Sequence, residues 1–447
     1  MVGAVMDAKL IAVGIVAIVA ASAVGIYFLM GDEDIKEDRF ADLSGMTLAI
    51  MGNVDGDHKI DQADVDKLNE IIADGTADSY AFADVNNDGK VDSNDVVALK
   101  KIVAREKTTV YVVDDNSNII TIKYPLRNVV SLTADMLSLM IALGGKDVLA
   151  GYVSTSYPIE QAYIKDVEGI VDLGGTRAFT KAGYANFKTL SSNLSKEGGI
   201  GAILYMSEAA LGGYRSDFEA AGIPLLWVNA SNPLDYAGSA LKLGFLFGGD
   251  FEKKGLDICR DSVAIMDHVA GKLKGVKKTD CISLTMTVSL TQKNSQYTLL
   301  TELSGGNNLT DLEGTSSTAL KGDAITKYDG VEYIVSFRTL DLGKYTSVDV
   351  WEKPNNEQKA ILEASGSYEG LVYLNASIPV PVRVAYVAEI LHPTVFKGYG
   401  DEAFQEFVDN YLAYLKENAE GGKLDVSKDV TTVVTYQMYK AEIDAQT

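Results

Sequence analysis

Between residues 128 and 436, short β-branched and apolar runs alternate with amphipathic stretches, and one 25-residue amphipathic stretch, 250–274, divides them into two sets. Such alternation builds parallel sheets covered by helices. Candidate strands of the first set are 128–132, 147–153, 169–173, 202–206 and 224–228; those of the second are 281–287, 333–337, 370–374 and 429–436. Thr133 stands where an N-cap belongs and Gly144 where a first helix would end. The dividing stretch carries Leu256, Cys259, Val263, Met266, Ala270 and Leu273 at alternating spacings of three and four, the apolar stripe of one long helix. Two α/β lobes joined by a single helix make a clamp, with ligands expected at the carboxyl ends of both sheets.

The chain has 447 residues, 47% of them hydrophobic, and 62 acidic against 40 basic side chains leave a net charge of −22. That apolar content is enough to order several domains. The acidic balance argues against nucleic acid as a partner, because phosphate-backbone binding depends on Lys and Arg. Cys259 and Cys281 are the only cysteines, with no CxxC spacing, so neither a disulfide framework nor a thiolate zinc site is encoded. Three scattered histidines, 58, 268 and 392, do not make a His-rich metal site.

Residues 10–30 form a charge-free run of 21. At about 1.5 Å per residue it matches a ~30 Å hydrocarbon core. Lys9 precedes the run, and Asp32, Glu33, Asp34, Glu37 and Asp38 follow it. This bias puts the folded part outside the cell, on a single-pass anchor in the cell membrane. The alternative is a signal peptide cut at Ala21-Ser22-Ala23, which would leave an apolar stub, 24–30.

Residues 53–95 hold two acidic loops in register. Asn53, Asp55, Asp57, Asp61 and Asp64 take positions 1, 3, 5, 9 and 12 of the first loop; Asp84, Asn86, Asp88, Asp92 and Asp95 take them in the second, 31 residues on. Lys59 and Lys90, at position 7, would contribute backbone carbonyls. The spacing suits a hard cation wrapped in oxygen ligands, so two calcium ions are expected. Each loop runs into an amphipathic stretch, with Val65, Leu68, Ile71 and Ile72 after the first and Val96, Leu99, Ile102 and Val103 after the second. Over residues 46–106 the pair resembles a type I dockerin, since both loops end in Asp where an EF-hand has Glu. That resemblance implies a small all-α calcium-loop domain and a cohesin-like partner, chosen in part by Gln62-Ala63 and Ser93-Asn94.

The order of segments over residues 109–420 resembles the helix-hinged extracellular binding proteins of ABC importers for iron-siderophore, haem and cobalamin ligands. The likeness rests on the opening 110–151, on Gly174-Gly175, on the stretch from Thr301 to Asn308 with its Gly-Gly-Asn, and on the His392-Pro393 turn. It implies a periplasmic-binding-protein-like clamp, a ligand with an iron or cobalt centre, and an ABC permease as partner. The family's permease-docking glutamates are missing: 185–189 reads Ala-Asn-Phe-Lys-Thr where the first would stand, and the second lobe shows Lys321, Asp323 and Lys327.

The expected organisation is therefore a transmembrane segment, 1–31; a linker, 32–45; a dockerin-like calcium domain, 46–106; a first lobe, 109–249; an interlobe helix, 250–274; and a second lobe, 275–447. Loops after the strands are the expected ligand contacts. They supply Thr133, Tyr157, Arg177 and Glu208 from the first lobe and Tyr297, Arg338, Asn375 and Arg383 from the second. The arginines would pair with ligand carboxylates, and the tyrosines would stack on a planar ligand. No GxSxG, HExxH, GxxxxGK or GxGxxG motif occurs. The reading is a solute-binding protein and not an enzyme. Two alternatives stand beside it: a dockerin-borne carbohydrate-active enzyme, and an adhesion or assembly module without transport.

Overall fold

The computed structural model describes residues 42–153, 164, 167–175, 178–285, 289–319, 327–328, 330–340, 342–352, 370–417 and 422–446. Among these, two compact units separate: 42–153, 164–230 and 234–263 form the first, and 231–233 with 264–446 the second. Helix Asp250–Lys272 is continuous, and the division falls within it after Val263. No helix among the described residues is long and apolar enough to cross a membrane, and the apolar run 10–30 lies outside them.

The first unit opens with the acidic-loop segment. Its helices, Gln62–Asp74 and Ser93–Val103, start at Asp61 and Asp92, each closing a capping box with the loop's last carboxylate, Asp64 or Asp95. Val65, Leu68 and Ile71 face inward on the first helix, and Val96, Leu99 and Ile102 on the second. A hairpin follows, β1 (Thr108–Val113) with β2 (Ile119–Tyr124). The sheet of this unit comprises β3 (Val129–Ser131), β4 (Leu149–Tyr152), β5 (Val171–Asp172), β6 (Ala202–Tyr205) and β7 (Leu225–Trp227). It is parallel throughout, in the order β5-β4-β3-β6-β7. Strands added first to one side of β3 and then to the other create a switch point between β3 and β6, where chains diverge from the carboxyl ends and leave room for a ligand.

All five strands fall inside the stretches expected from sequence but are shorter, although Leu132, Val153, Leu173 and Val228, just past the strand ends, still donate to a neighbouring strand. The expected first helix is Ala134–Ala142, with Thr133 before it and Gly144 left-handed after it. Helix Tyr236–Phe247, apolar but for Ser239 and Lys242, is buried along almost its whole length. It crosses helix Asp250–Lys272 where Gly244 and Gly255 meet: a Cβ on Gly244 would lie 2.8 Å from the Gly255 Cα, so only glycine permits this approach.

The second unit holds a seven-stranded mixed sheet: β8 (Thr279–Thr285), β9 (Ser289–Thr291), β10 (Gly306–Asn308), β11 (Ser317–Ala319), β12 (Tyr333–Arg338), β13 (Leu371–Asn375) and β14 (Val433–Thr435). Its path is β11-β9-β8-β12-β13-β14, with β10 alongside β8. The parallel core β8, β12 and β13 matches the expected strands, and 429–436 becomes the short antiparallel edge β14. The added strands β9, β10 and β11 are three residues each, too short to show periodicity. One sheet face packs Ile282, Leu284, Ile334, Leu371 and Tyr373 against Trp351. The hydroxyls of Ser283, Thr291 and Thr298 form a buried chain, and the Asn308 amide donates to Ser283 Oγ at 2.8 Å and to Thr301 Oγ1 at 3.0 Å.

Candidate functional site

The acidic loops are shaped by their own carboxylates. In the second loop Asp84 accepts from the Asp88 and Gly89 amides, Asn86 from Asp88, Asp88 from Lys90, and Asp92 from Asn94. In the first, Asp55 accepts from Asp57, Asp57 from Lys59, and Asp61 from Ala63. Asp64 and Asp95 span their loops, accepting from backbone amides ten or fewer residues away; Asp64 Oδ1 takes the Val54 N–H at 2.7 Å. Burial pushes Asp64 up to about 6 and raises Asp57 and Asp84.

Asn53 is fully buried; its Nδ2 donates to the Asp57 carbonyl at 2.6 Å and to the Leu48 carbonyl at 2.8 Å, while its Oδ1 has no hydrogen-bond partner. Among the described residues no three or more His, Cys, Asp or Glu side chains converge as a ready metal cluster. The donor set nevertheless fits a hard cation in kind. Asp55, Asp57 and Asp88 each commit only Oδ1 to the backbone, and a buried amide oxygen is left over.

At the switch point of the first unit, Thr133 follows β3 and Glu208 follows β6. Thr133 makes no side-chain cap, and its buried Oγ1 has no partner. Glu208 is exposed and paired with Arg215, whose Nε and Nη2 reach its two oxygens at 2.9 and 2.5 Å; Arg215 also donates to the Tyr205 hydroxyl and to Glu219. A cavity of about 600 Å³ lies beside them, lined by Tyr205, Glu208, Arg215 and the hairpin residues Asn116 and Asn118. Tyr157 and Arg177 lie outside the described residues.

In the second unit Arg338 ends β12. Its Nη1 donates to the Val350 carbonyl at 2.5 Å, and its guanidinium lies 5.0 Å from the Tyr373 ring centre. No carboxylate among the described residues pairs with it, and burial lowers its pKa. Tyr297 packs on Phe337 with ring centres 4.6 Å apart. Two residues expected to face a ligand sit elsewhere. Asn375 is 1% exposed, with Oδ1 accepting from Leu340 and Ser377 and Nδ2 donating to the Thr431 carbonyl. Arg383 is 1% exposed on helix Val380–Leu391, with Nε donating to the Ile378 carbonyl at 2.6 Å. Both brace the β13-to-helix turn, because strand-end position fixes where a residue starts and not which way its side chain leaves. A larger cavity, about 1060 Å³, lies along β14, and none of the expected contacts is among its described lining residues.

Sequence reasoning passed over a buried ion pair. Lys242 ion-pairs with Asp115, their side chains 5% and 13% exposed. Asp115 Oδ2 also accepts the Asn229 N–H at 2.7 Å, and Asn229 Nδ2 donates to Asp235 at 3.1 Å. Burial and the Asp115 charge push Asp235 up to about 6. The available signal was a lone lysine inside the apolar stretch 236–247.

No protein-family model and no curated protein matches the chain. Solved structures do. A molybdate periplasmic binding protein of an ABC transporter from Haemophilus influenzae aligns with TM-score 0.51 at 10% identity, over 67% of this chain and 97% of its own. An ABC transporter solute-binding protein from Sulfurospirillum deleyianum aligns with TM-score 0.50 at 12% identity, over 67% and 94%. A TroA-like periplasmic binding protein from Veillonella parvula reaches 0.49 at 15%, over 67% and 95%. The first two establish the class of fold: a two-lobed α/β, periplasmic-binding-protein-like architecture.

Proposed function

We propose that this chain is a solute-binding protein displayed outside the cell, and that its ligand is anionic, of the iron-siderophore, haem or cobalamin kind. The observation that carries the anionic part is Arg338, a largely buried guanidinium at a strand's carboxyl end with no carboxylate partner among the described residues. A desolvated cation without a counter-ion is costly unless a ligand supplies the charge. Solute binding itself is supported by the fold shared with the binding proteins of ABC transporters. An ABC permease would then be the transport partner. Purifying the full chain in mild detergent and identifying a retained ligand by absorption and native mass spectrometry is the test. A corrinoid, tetrapyrrole or siderophore complex supports the reading; failure to bind any such anion on titration overturns it.

The acidic-loop segment is proposed to bind two calcium ions. Asn53, Asp55, Asp57, Asp61 and Asp64, with the Lys59 carbonyl, would hold one; Asp84, Asn86, Asp88, Asp92 and Asp95, with the Lys90 carbonyl, would hold the other. Calcium would supply the positive charge that lets eight clustered carboxylates stay ionised. Docking to a cohesin-like protein through this segment, and anchoring by residues 10–30, complete the proposal.

A further inference from the structure

The acidic-loop segment belongs to the same compact unit as the first lobe, and contacts with that lobe lie on either side of the first loop. The stretch before the first loop lies along β1. Val113 donates to the Ala49 carbonyl at 2.9 Å, Met51 donates to the Tyr111 carbonyl at 2.8 Å, and Ile50 bridges Val112. Ala49, Met51, Phe82 and Val113 share one buried cluster. Asn53, the first loop's position 1, follows two residues later, and its Nδ2 bonds back to the Leu48 carbonyl.

The other end of the loop is held by Arg105. This residue stands just beyond helix Ser93–Val103 in the left-handed region (φ 56) and fans its guanidinium over three elements. Nη1 donates to the Ile102 carbonyl at 2.9 Å. Nη2 donates to the carbonyl of Ile60, position 8 of the first loop, at 3.1 Å. Nε and Nη2 reach Glu252 at 2.9 and 2.5 Å, a bidentate pair 147 residues apart in sequence. The same guanidinium lies 5.1 Å from the ring centre of Phe245, on the buried helix Tyr236–Phe247.

We infer that the first acidic loop is a calcium-operated clasp on the lobe: occupancy of the loop stabilises the lobe through Asn53 at one end and through Ile60, Arg105 and Glu252 at the other. The inference rests on the calcium reading given above. A cation that fixes the loop backbone fixes the Ile60 carbonyl, and with it the fork of Arg105 that grips Glu252. Anything that binds the folded form alone raises the stability of every element folded with it. The segment is thereby a regulator of the lobe as well as a docking element.

The test is hydrogen–deuterium exchange on the full chain in detergent, with calcium and with chelator, alongside calcorimetric titration of calcium alone. Calcium should slow exchange in β1 and in helix Tyr236–Phe247 by about tenfold or more, the scale of one charge-assisted bidentate contact. In Glu252→Gln and Arg105→Gln the loops should still bind calcium and still gain protection, while the slowing in helix Tyr236–Phe247 falls below about threefold. Calcium binding with no change in the lobe overturns the clasp and leaves the calcium reading intact. Full slowing in both variants overturns the Arg105–Glu252 route. No calcium binding overturns the loop assignment and the clasp together.

Discussion

Lys242 and Asp115, 127 residues apart in sequence, form an ion pair inside the first unit, tying the largely buried helix Tyr236–Phe247 to the turn of the β1–β2 hairpin. Asp235 and Asp114 lie in the same neighbourhood, so Lys242 is the cation that offsets a concentration of buried negative charge. Replacing it with Met leaves those carboxylates without compensation. Lys242→Met should lower the unfolding free energy by about 3–5 kcal/mol, measured by denaturant melts; a loss below about 1 kcal/mol would show that the pair contributes little.

Asp235 predicts a pH effect with a definite sign. Its folded pKa, about 6, lies above the ordinary carboxylate value of 3.8, so the folded protein holds a proton that the unfolded chain releases. Stability should therefore rise as pH falls from 7 through 6 and level off near 4, by roughly 2–3 kcal/mol for this group. Asp235→Asn should raise stability at pH 7 and flatten that part of the profile. A steeper profile in the variant would contradict the assignment.

Arg338 separates binding from stability. Arg338→Met removes a largely buried cation that no carboxylate among the described residues pairs with, so the melting temperature should hold or rise. Affinity for an anionic solute should fall about ten- to hundredfold, the worth of a charge-assisted contact. A variant that loses stability but keeps affinity would make Arg338 a structural residue bracing Val350 and Tyr373.

Calcium should protect residues 46–106 from protease, and chelation should expose them. Asp88→Ala should reduce the calcium stoichiometry from two to one, read by titration calorimetry. Equal cleavage with calcium and with chelator would remove the metal from the account of this segment.

The Gly244–Gly255 crossing admits no side chain. A Cβ on Gly244 would meet the Phe251 carbonyl oxygen at 2.6 Å, so Gly244→Ala should destabilise the chain by about 1–3 kcal/mol in thermal melts. An unchanged melting temperature would mean that the two helices separate at little cost.

Much of this was written locally. Hydrophobic period marked the strands β3, β4, β6, β8, β12 and β13 and the helix Asp250–Lys272, because burial of one face or both imposes a repeat on neighbouring residues. The acidic loops were legible for a similar reason: their donors lie within twelve positions, and their hydrogen bonds are made within the loop. What only the tertiary structure decided depends on partners distant in sequence. Whether a strand-end arginine reaches across to Val350 and Tyr373, like Arg338, or braces its own turn, like Arg383, follows from packing by other elements. The pairing of Arg105 with Glu252 and of Lys242 with Asp115 joins residues more than a hundred positions apart, and no local period records such a meeting. The sequence by itself determined the kinds of element and their order; the folding of distant segments onto one another decided which charges are buried and which are paired.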